Sequence, residues 1–194
     1  ERVALNFLGR LCGIASQTYE WGLFLKKTPR CRLVDTRKTT PGWRALEKAA
    51  VKAGGGGNHR MGLFDGILIK ENHIAAAGSL ENAVKRAQAG KHHLTKIEVE
   101  TTNLNEVQRA VDLGVDGIML DNMDNEMMAQ AISLIRTPNE TSQKEIMIEA
   151  SGNMTPDRLA SVAALGVDLI SMGALTHSVA SADVSMRFQW HSDD

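Results

Sequence analysis

The stretch Arg32-Leu33-Val34-Asp35-Thr36-Arg37-Lys38-Thr39-Thr40-Pro41 decides how this chain is read. Three apolar-leaning residues run into a basic turn, the pattern of a strand that ends where chemistry begins. A short helix follows, then the glycine run Gly54-Gly55-Gly56-Gly57 closing on Asn58-His59-Arg60. A second strand, Gly66-Ile67-Leu68-Ile69, ends on Lys70-Glu71-Asn72-His73. Parallel strands joined by helices bring their carboxyl ends to one side of a sheet. Arg37, Lys38, His59, Arg60 and Lys70 would therefore converge at one mouth. Cations gathered there repel one another unless something anionic sits among them. The first inference is a pocket for a polyanionic small molecule.

Working outward, residues 1–28 read as a helical lead-in. Leu5, Leu8, Leu11 and Cys12 recur at helical spacing, and Thr28-Pro29 stops them. Gly13 predicts a break inside it. Pro41 predicts a helix start, with Ala45, Leu46, Ala49, Ala50 and Ala53 as the inner face. Ser79 caps the next helix, which stops at Gly90. Strands follow at 96–100, 117–121, 146–150 and 169–172. Their helices begin at Asn103 with Glu106 in a capping-box pattern, near Met127, and at Thr155-Pro156. Residues 137–145 read as a polar loop. Leu113-Gly114-Val115-Asp116 and Leu165-Gly166-Val167-Asp168 are an internal echo, each a helix stop leading into a strand.

Alternation of apolar strands with helices means a parallel sheet covered by helices. Six such units fit an α/β fold of the incomplete, about six-stranded TIM-like barrel kind, spanning 31–175 as one catalytic domain with a tail over 176–194. A doubly wound open sheet is the competing architecture.

The strand ends form a series: Asp35-Thr36-Arg37-Lys38, Lys70-Glu71-Asn72, Glu98-Val99-Glu100, Asp121-Asn122, Ser151-Gly152-Asn153 and Gly173-Ala174. One polar residue after a strand is ordinarily a turn residue. Six in succession, cations first and carboxylates next, describe an active-site face. In barrels the last two strand ends often hold a phosphate on backbone N–H groups, which marks Ser151, Gly152, Asn153 and Gly173. Glu100 and Asp121, on neighbouring strands, would hold ribose hydroxyls or a magnesium ion, or would simply neutralise the basic cluster. Spacing leaves these open. His73 reads as a turn histidine, His92, His93 and His191 as exposed, and His177 either way. Met119, Met127, Met128, Met147 and Met172 read as core or helix-face residues.

The chain has 194 residues and a net charge of −1, so no whole-surface basic field points to nucleic acid or membrane. Cys12 and Cys31 make neither a disulfide framework nor a metal spacing, and buried thiols are expected. The glycosylation patterns at Asn139 and Asn153 read as chance. With no secretory signal or spanning apolar run, the expected compartment is the cytoplasm. A start at Glu1, without Met and already in helical register, implies that an amino-terminal portion is missing.

Taken in series, Asp35-Thr36-Arg37-Lys38-Thr39-Thr40-Pro41-Gly42, Gly55-Gly56-Gly57-Asn58-His59-Arg60, Leu68-Ile69-Lys70-Glu71-Asn72-His73, Met119-Leu120-Asp121-Asn122 and Gly173-Ala174-Leu175-Thr176-His177 resemble quinolinate phosphoribosyltransferase, or carboxylating nicotinate-nucleotide pyrophosphorylase. The resemblance covers essentially the whole chain, including Glu1-Arg2-Val3-Ala4-Leu5-Asn6 as the first helix of the barrel domain. The resemblance implies a separate amino-terminal domain ahead of this point, expected to be missing from this chain. The resemblance implies reaction of quinolinate with phosphoribosyl pyrophosphate to give nicotinate mononucleotide, pyrophosphate and carbon dioxide in NAD biosynthesis, with Mg2+. It implies quinolinate binding by Arg37, His59, Arg60 and Lys70, with Arg2 from the partner in a homodimer or larger assembly. It implies phosphoribosyl pyrophosphate binding by Lys38, Lys70, Glu100, Asp121, Ser151, Gly152, Asn153 and Gly173, with Glu100 and Asp121 serving the metal. Lys70, Glu100 and Asp121 are the expected catalytic set. Two rival readings are a barrel lyase using Lys70 as a Schiff-base nucleophile and a truncated paralogue that only binds nucleotides.

Overall fold

A computed structural model of the chain describes residues 1–137 and 145–189, so most of the expected polar loop, Asn139 and His191 lie outside the described residues. Six strands form one parallel sheet: β1 (Arg32–Val34), β2 (Ile67–Ile69), β3 (Ile97–Thr101), β4 (Gly117–Asp121), β5 (Met147–Ser151) and β6 (Leu169–Ser171). Their order is β1-β6-β5-β4-β3-β2. The winding never reverses, which separates it from a doubly wound sheet with its switch point. The first strand lies beside the last, as in a barrel. Among the described residues no strand closes the ring between β1 and β2. The segment after the glycine run fills that place: Val34 bridges Gly57, Gly57 N–H donates to Leu33 C=O at 2.8 Å, and the Arg60 guanidinium donates to Gly66 C=O at 2.9 Å.

The helices are α1 (Arg2–Gly22), α2 (Arg44–Ala53), α3 (Glu71–Ala77), α4 (Leu80–Gly90), α5 (Leu104–Asp112), α6 (Asn125–Arg136), α7 (Pro156–Ala164) and the single turn α8 (Ala174–His177). Their starts follow from local chemistry. The Ser79 hydroxyl accepts from Asn82 N–H at 3.2 Å, and the Asn103 side chain from Glu106 N–H at 3.0 Å. Glu106 reaches back to Thr102 N–H, so the expected box is completed one residue early. Val107 and Ala110 of α5 and Leu159 and Val162 of α7 are fully buried against the sheet. Each valine or leucine so covered contributes roughly 1.5–3 kcal/mol.

The structure departs from the sequence expectations in three places. Gly13 does not break α1; a Cβ there would stand 2.2 Å from Ala180 C=O, so the glycine admits the returning tail. Pro41 lies in a turn and α2 begins at Arg44, with Gly42 at φ +78°. The inner face of α2 is Glu47, Lys48, Ala50 and Val51, while Leu46 is exposed. The two charged residues turn inward because Glu47 meets Thr40 of the basic turn and Arg10 of α1, and Lys48 pairs with buried Asp35 just after β1. Finally, Lys70-Glu71-Asn72 does not continue β2; it opens α3.

The internal echo has a structural meaning. Gly114 and Gly166 stop α5 and α7 in left-handed conformations, at φ +65° and +100°. The Asp116 carboxylate then accepts Ile97 N–H at 2.8 Å, and Asp168 accepts Ile148 N–H at 2.9 Å. Each aspartate pins the start of a neighbouring strand and so fixes its register.

Candidate active site

Alternate residues of each strand face the barrel interior, and their last members line one cavity of about 870 Å³. That volume suits a small-molecule site. Lys70, Glu100, Asp121 and Ser151 stand at its mouth, with Leu68, Met119, Glu149 and Ser171 below. Strand register arranges them: Glu100 lies opposite Met119, Met119 opposite Glu149, and Asp121 opposite Ser151. Thr36, Arg37, Lys38, His59 and Arg60 complete the basic wall, and Gly152, Asn153, Met154 and Gly173 the far side. The cavity thus gathers every site residue expected from sequence except Arg2. Arg2 is exposed at the first turn of α1 and does not line it.

The basic turn is braced from beneath. Glu47, fully buried, accepts Thr40 N–H at 3.1 Å and the Thr40 hydroxyl at 2.7 Å. Arg10 of α1 pairs with Glu47 at 3.1 Å and donates to Thr176 C=O. The Thr176 hydroxyl in turn donates to Lys38 C=O at 2.7 Å. Gly173 carries no Cβ because one would lie 2.9 Å from the Lys38 side chain and the His177 ring. Gly152, at φ +80°, lies so close to Asn122 that a Cβ would meet its amide oxygen at 2.3 Å. That oxygen accepts the Asn153 side chain at 2.9 Å. Asn122 and Asn153 are themselves left-handed, φ 56° and 46°. Strained backbone gathered at two strand ends is characteristic of ligand clamps.

Charge is balanced unevenly. Lys70 is ion-paired with Glu100. Its ammonium is thereby occupied by a carboxylate, which disfavours a Schiff-base role. Burial and then the neighbouring Arg37 lower the pKa of Arg60, and Glu98 and Asp65 offset this in part. Two guanidiniums facing each other in a part-buried wall favour an anion between them. Asp35 and Lys48 form a buried ion pair behind the wall, and burial pushes the Asp35 carboxyl up against the pull of Lys48, His59 N–H and Asn58.

His59 occupies the cavity floor. Its Nε2 lies 3.3 Å from Glu98 Oε2 and 3.4 Å from Glu149 Oε2, without a well-aligned bond to either. Burial opposes charge on the ring, and the Glu149 and Glu98 carboxylates outweigh it, raising its pKa to about 10. Burial, with Glu149 beside it, also raises Glu98. One extra proton is thus claimed by both groups and belongs to the cluster. Arg60 N–H donates to His59 Nδ1 at 2.7 Å. His59, Glu98 and Glu149 have ligand atoms within 4.8 Å of one another.

Sequence reasoning missed Glu149, Ser171, Glu47 and Lys48 as parts of this site, and placed Glu98 at a strand end without giving it a role. Glu149 had a usable signal: it is the one charge in the apolar run Ile146-Met147-Ile148-Glu149-Ala150. His73, expected in a turn, lies in the first turn of helix α3, accepting Lys70 N–H on Nδ1 at 3.0 Å, and it also lines the cavity. Met119, Met128 and Met172 are buried core residues; Cys31 is buried too, and burial followed by Asp168 pushes its thiol up to about 12. Among the described residues no helix is long and apolar enough to cross a membrane.

Residues 14–187 match the family model described as quinolinate phosphoribosyl transferase, C-terminal domain. The chain belongs to that family. It is 48% identical over 96% of its length to a probable carboxylating nicotinate-nucleotide pyrophosphorylase of Synechocystis, and 46% identical over 96% to that of Bacillus subtilis. It spans about 62% of each of these relatives. Among solved structures it is similar to NadC from Streptococcus pyogenes, with a TM-score of 0.88 and 45% identity over 97% of this chain and 63% of the other. A quinolinate phosphoribosyl transferase barrel thus accounts for the parallel six-stranded winding and for the cationic cavity mouth.

Proposed function

We propose that this chain is the catalytic barrel of a quinolinate phosphoribosyltransferase. It joins quinolinate to phosphoribosyl pyrophosphate and gives nicotinate mononucleotide, pyrophosphate and carbon dioxide. The observation that carries the reading is the single cavity shared by Arg37, Lys38, Arg60, Lys70, Glu100, Asp121 and the two glycine-containing loops. Quinolinate bears two adjacent carboxylates, which suit the forked donors of Arg37 and Arg60. Lys38 and Lys70 would meet phosphate oxygens. Ser151, Gly152, Asn153 and Gly173 would take the 5′-phosphate.

The ring nitrogen attacks the anomeric carbon, forming the N–C bond as pyrophosphate leaves with the electron pair of the broken C–O bond. Positive charge grows on the ribose, where Glu100 and Asp121 stabilise it. The bond from ring carbon to the adjacent carboxylate then breaks. Carbon dioxide departs, and the electron pair left on carbon is held by the ring cation until a proton is taken up. The protein supplies orientation and electrostatics rather than a strong acid or base.

Magnesium fits the same two carboxylates. Asp121 uses one oxygen to accept the Asn122 amide at 2.7 Å, and Glu100 uses one for Lys70, so each keeps a second oxygen for a cation that binds through few carboxylates and retains waters. Such an ion would neutralise the leaving pyrophosphate. The proposed assembly is a homodimer in which Arg2 enters the neighbouring site. The proposed compartment is the cytoplasm, where the free thiols Cys12 and Cys31 stay reduced.

Turnover of quinolinate with phosphoribosyl pyrophosphate and Mg2+, followed as nicotinate mononucleotide, tests the reading. Lys70→Ala is expected to lower turnover at least about a hundredfold while leaving the thermal melt intact, since Lys70 is exposed at the mouth. Failure of the wild-type chain to form product, or undiminished turnover in the variant, would sink it.

A further inference from the structure

We infer that Asn122 is a positioning residue: its side-chain amide aims the Asp121 carboxylate and is itself aimed by Asn153, so that the loop after β5 and the carboxylate ending β4 act as one unit. Asn122 Nδ2 donates to Asp121 Oδ2 at 2.7 Å. A carboxylate only accepts, so the nitrogen of the Asn122 amide faces Asp121 and its oxygen faces the other way. That oxygen accepts Asn153 Nδ2 at 2.9 Å. Donation therefore runs in one direction, from Asn153 through Asn122 to Asp121. Both asparagines line the cavity, where they are exposed.

The backbone is built to hold this chain of donors. Among the described residues, Asn122 and Asn153 are the two non-glycine residues with a left-handed backbone. Such conformations cost stability and persist only where their surroundings fix them. Asn122 N–H donates to Ser151 C=O at 3.0 Å. Gly152 packs so closely on the Asn122 amide that a side chain there would collide with it. Just beyond, the Arg158 guanidinium of α7 donates to Met123 C=O and to the Asn125 side chain, each at 3.3 Å. The loop after β4 is thus tied to the loop and the helix after β5. Without the Asn122 amide, the Asp121 carboxylate would turn about its last side-chain torsion, which has only a broad preference of its own. A group fixed before the ligand arrives loses less freedom on binding.

The inference rests on the proposed function for its binding readout but not for its geometry, and the experiment separates them. In the 194-residue chain labelled with 15N-asparagine, exchange of side-chain amide protons with water needs no substrate. The Asn122 amide is expected to exchange at least about tenfold more slowly than a free amide, and to lose that protection in Asp121→Ala and in Asn153→Ala. Exchange as fast as in a free amide, or protection unchanged in both variants, would overturn the proposal. For the ligand, Asn122→Gly keeps the left-handed backbone without strain and removes the amide. It is expected to weaken phosphoribosyl pyrophosphate binding about tenfold by calorimetry, with KM for quinolinate within about twofold of wild type. A double-mutant cycle decides the route, each variant being shown folded by near-ultraviolet dichroism. In an Asp121→Ala background, Asn122→Gly is expected to change the same affinity less than about twofold, because the group it aims is gone. A full tenfold loss in that background would mean that Asn122 meets the ligand itself, and would overturn the assignment. A wild-type chain that binds no phosphoribosyl pyrophosphate would count against the functional reading alone and would leave the amide exchange to decide this one.

Discussion

Asp121 ends β4, lines the cavity and has one carboxylate oxygen engaged by Asn122. Loss of its charge removes a partner for ribose or metal and leaves the guanidinium wall untouched. Asp121→Asn is therefore expected to weaken phosphoribosyl pyrophosphate binding about ten- to hundredfold while quinolinate affinity stays within about twofold. Calorimetry with each ligand checks this, and equal losses would contradict separate subsites. Gly152→Ala is expected to cost about 1–3 kcal/mol of stability, because its backbone is left-handed and the added methyl meets Asn122; urea melts measure it. Individual residues were only partly legible in the sequence. Arg37, Lys38, Arg60, Lys70 and Asp121 could be found because polar residues at strand ends stand out against the apolar strands. Glu47 and Lys48 could not, because polarity reads as surface until the partner that makes burial tolerable is known, and those partners lie on other elements.

Among elements, the two aspartates of the internal echo do similar work, and Asp168 does it under measurable electrostatic load. Burial raises its pKa, but Ile148 N–H, Arg136 and Arg30 outweigh burial, and the carboxyl ends below its ordinary 3.8. A folded value below the unfolded one stabilises the protein above that pH and fades as pH falls through the folded value. Asp168→Asn keeps an acceptor for Ile148 but loses the Arg136 pair at 2.6 Å. It is expected to lower stability by about 1–2 kcal/mol at pH 7, with a smaller difference from wild type at a pH below the ordinary 3.8. Urea titrations at the two pH values check the sign, and an unchanged difference would exclude the ion pair as its source. All six strands were visible to within a residue or so, since buried parallel strands read as apolar runs between glycines. Helix α3 was not, because Lys70-Glu71-Asn72-His73 has the polarity of a loop and its start is secured by a histidine ring rather than by a serine or aspartate.

For the whole molecule, the winding of the sheet was readable from the strand–helix count, whereas the closure between β1 and β2 by a loop was not, since it depends on one bridge at Gly57 and one guanidinium at Gly66. Arg2, exposed and not among the residues lining its own cavity, is the residue that tests assembly. In a two-fold dimer with Arg2 acting across the interface, Arg2→Ala and Lys70→Ala should each be nearly inactive. Co-refolded in equal amounts they should recover about a quarter of wild-type activity, because half the dimers are mixed and one of two sites in each is intact. No recovery, with mixed dimers shown by mass spectrometry, would place Arg2 outside the partner's site. The order of the sheet also governs how such a chain is made. Strand β1 pairs with β6, and Leu33 finds Ile170 in register 137 positions later. On the ribosome the first strand therefore emerges long before its ladder partner exists. The nascent barrel is an open sheet with an unclaimed edge for most of its synthesis, and a chain halted before residue 169 leaves Leu33 and Val34 for any passing strand, so translation stalls would surface as aggregation.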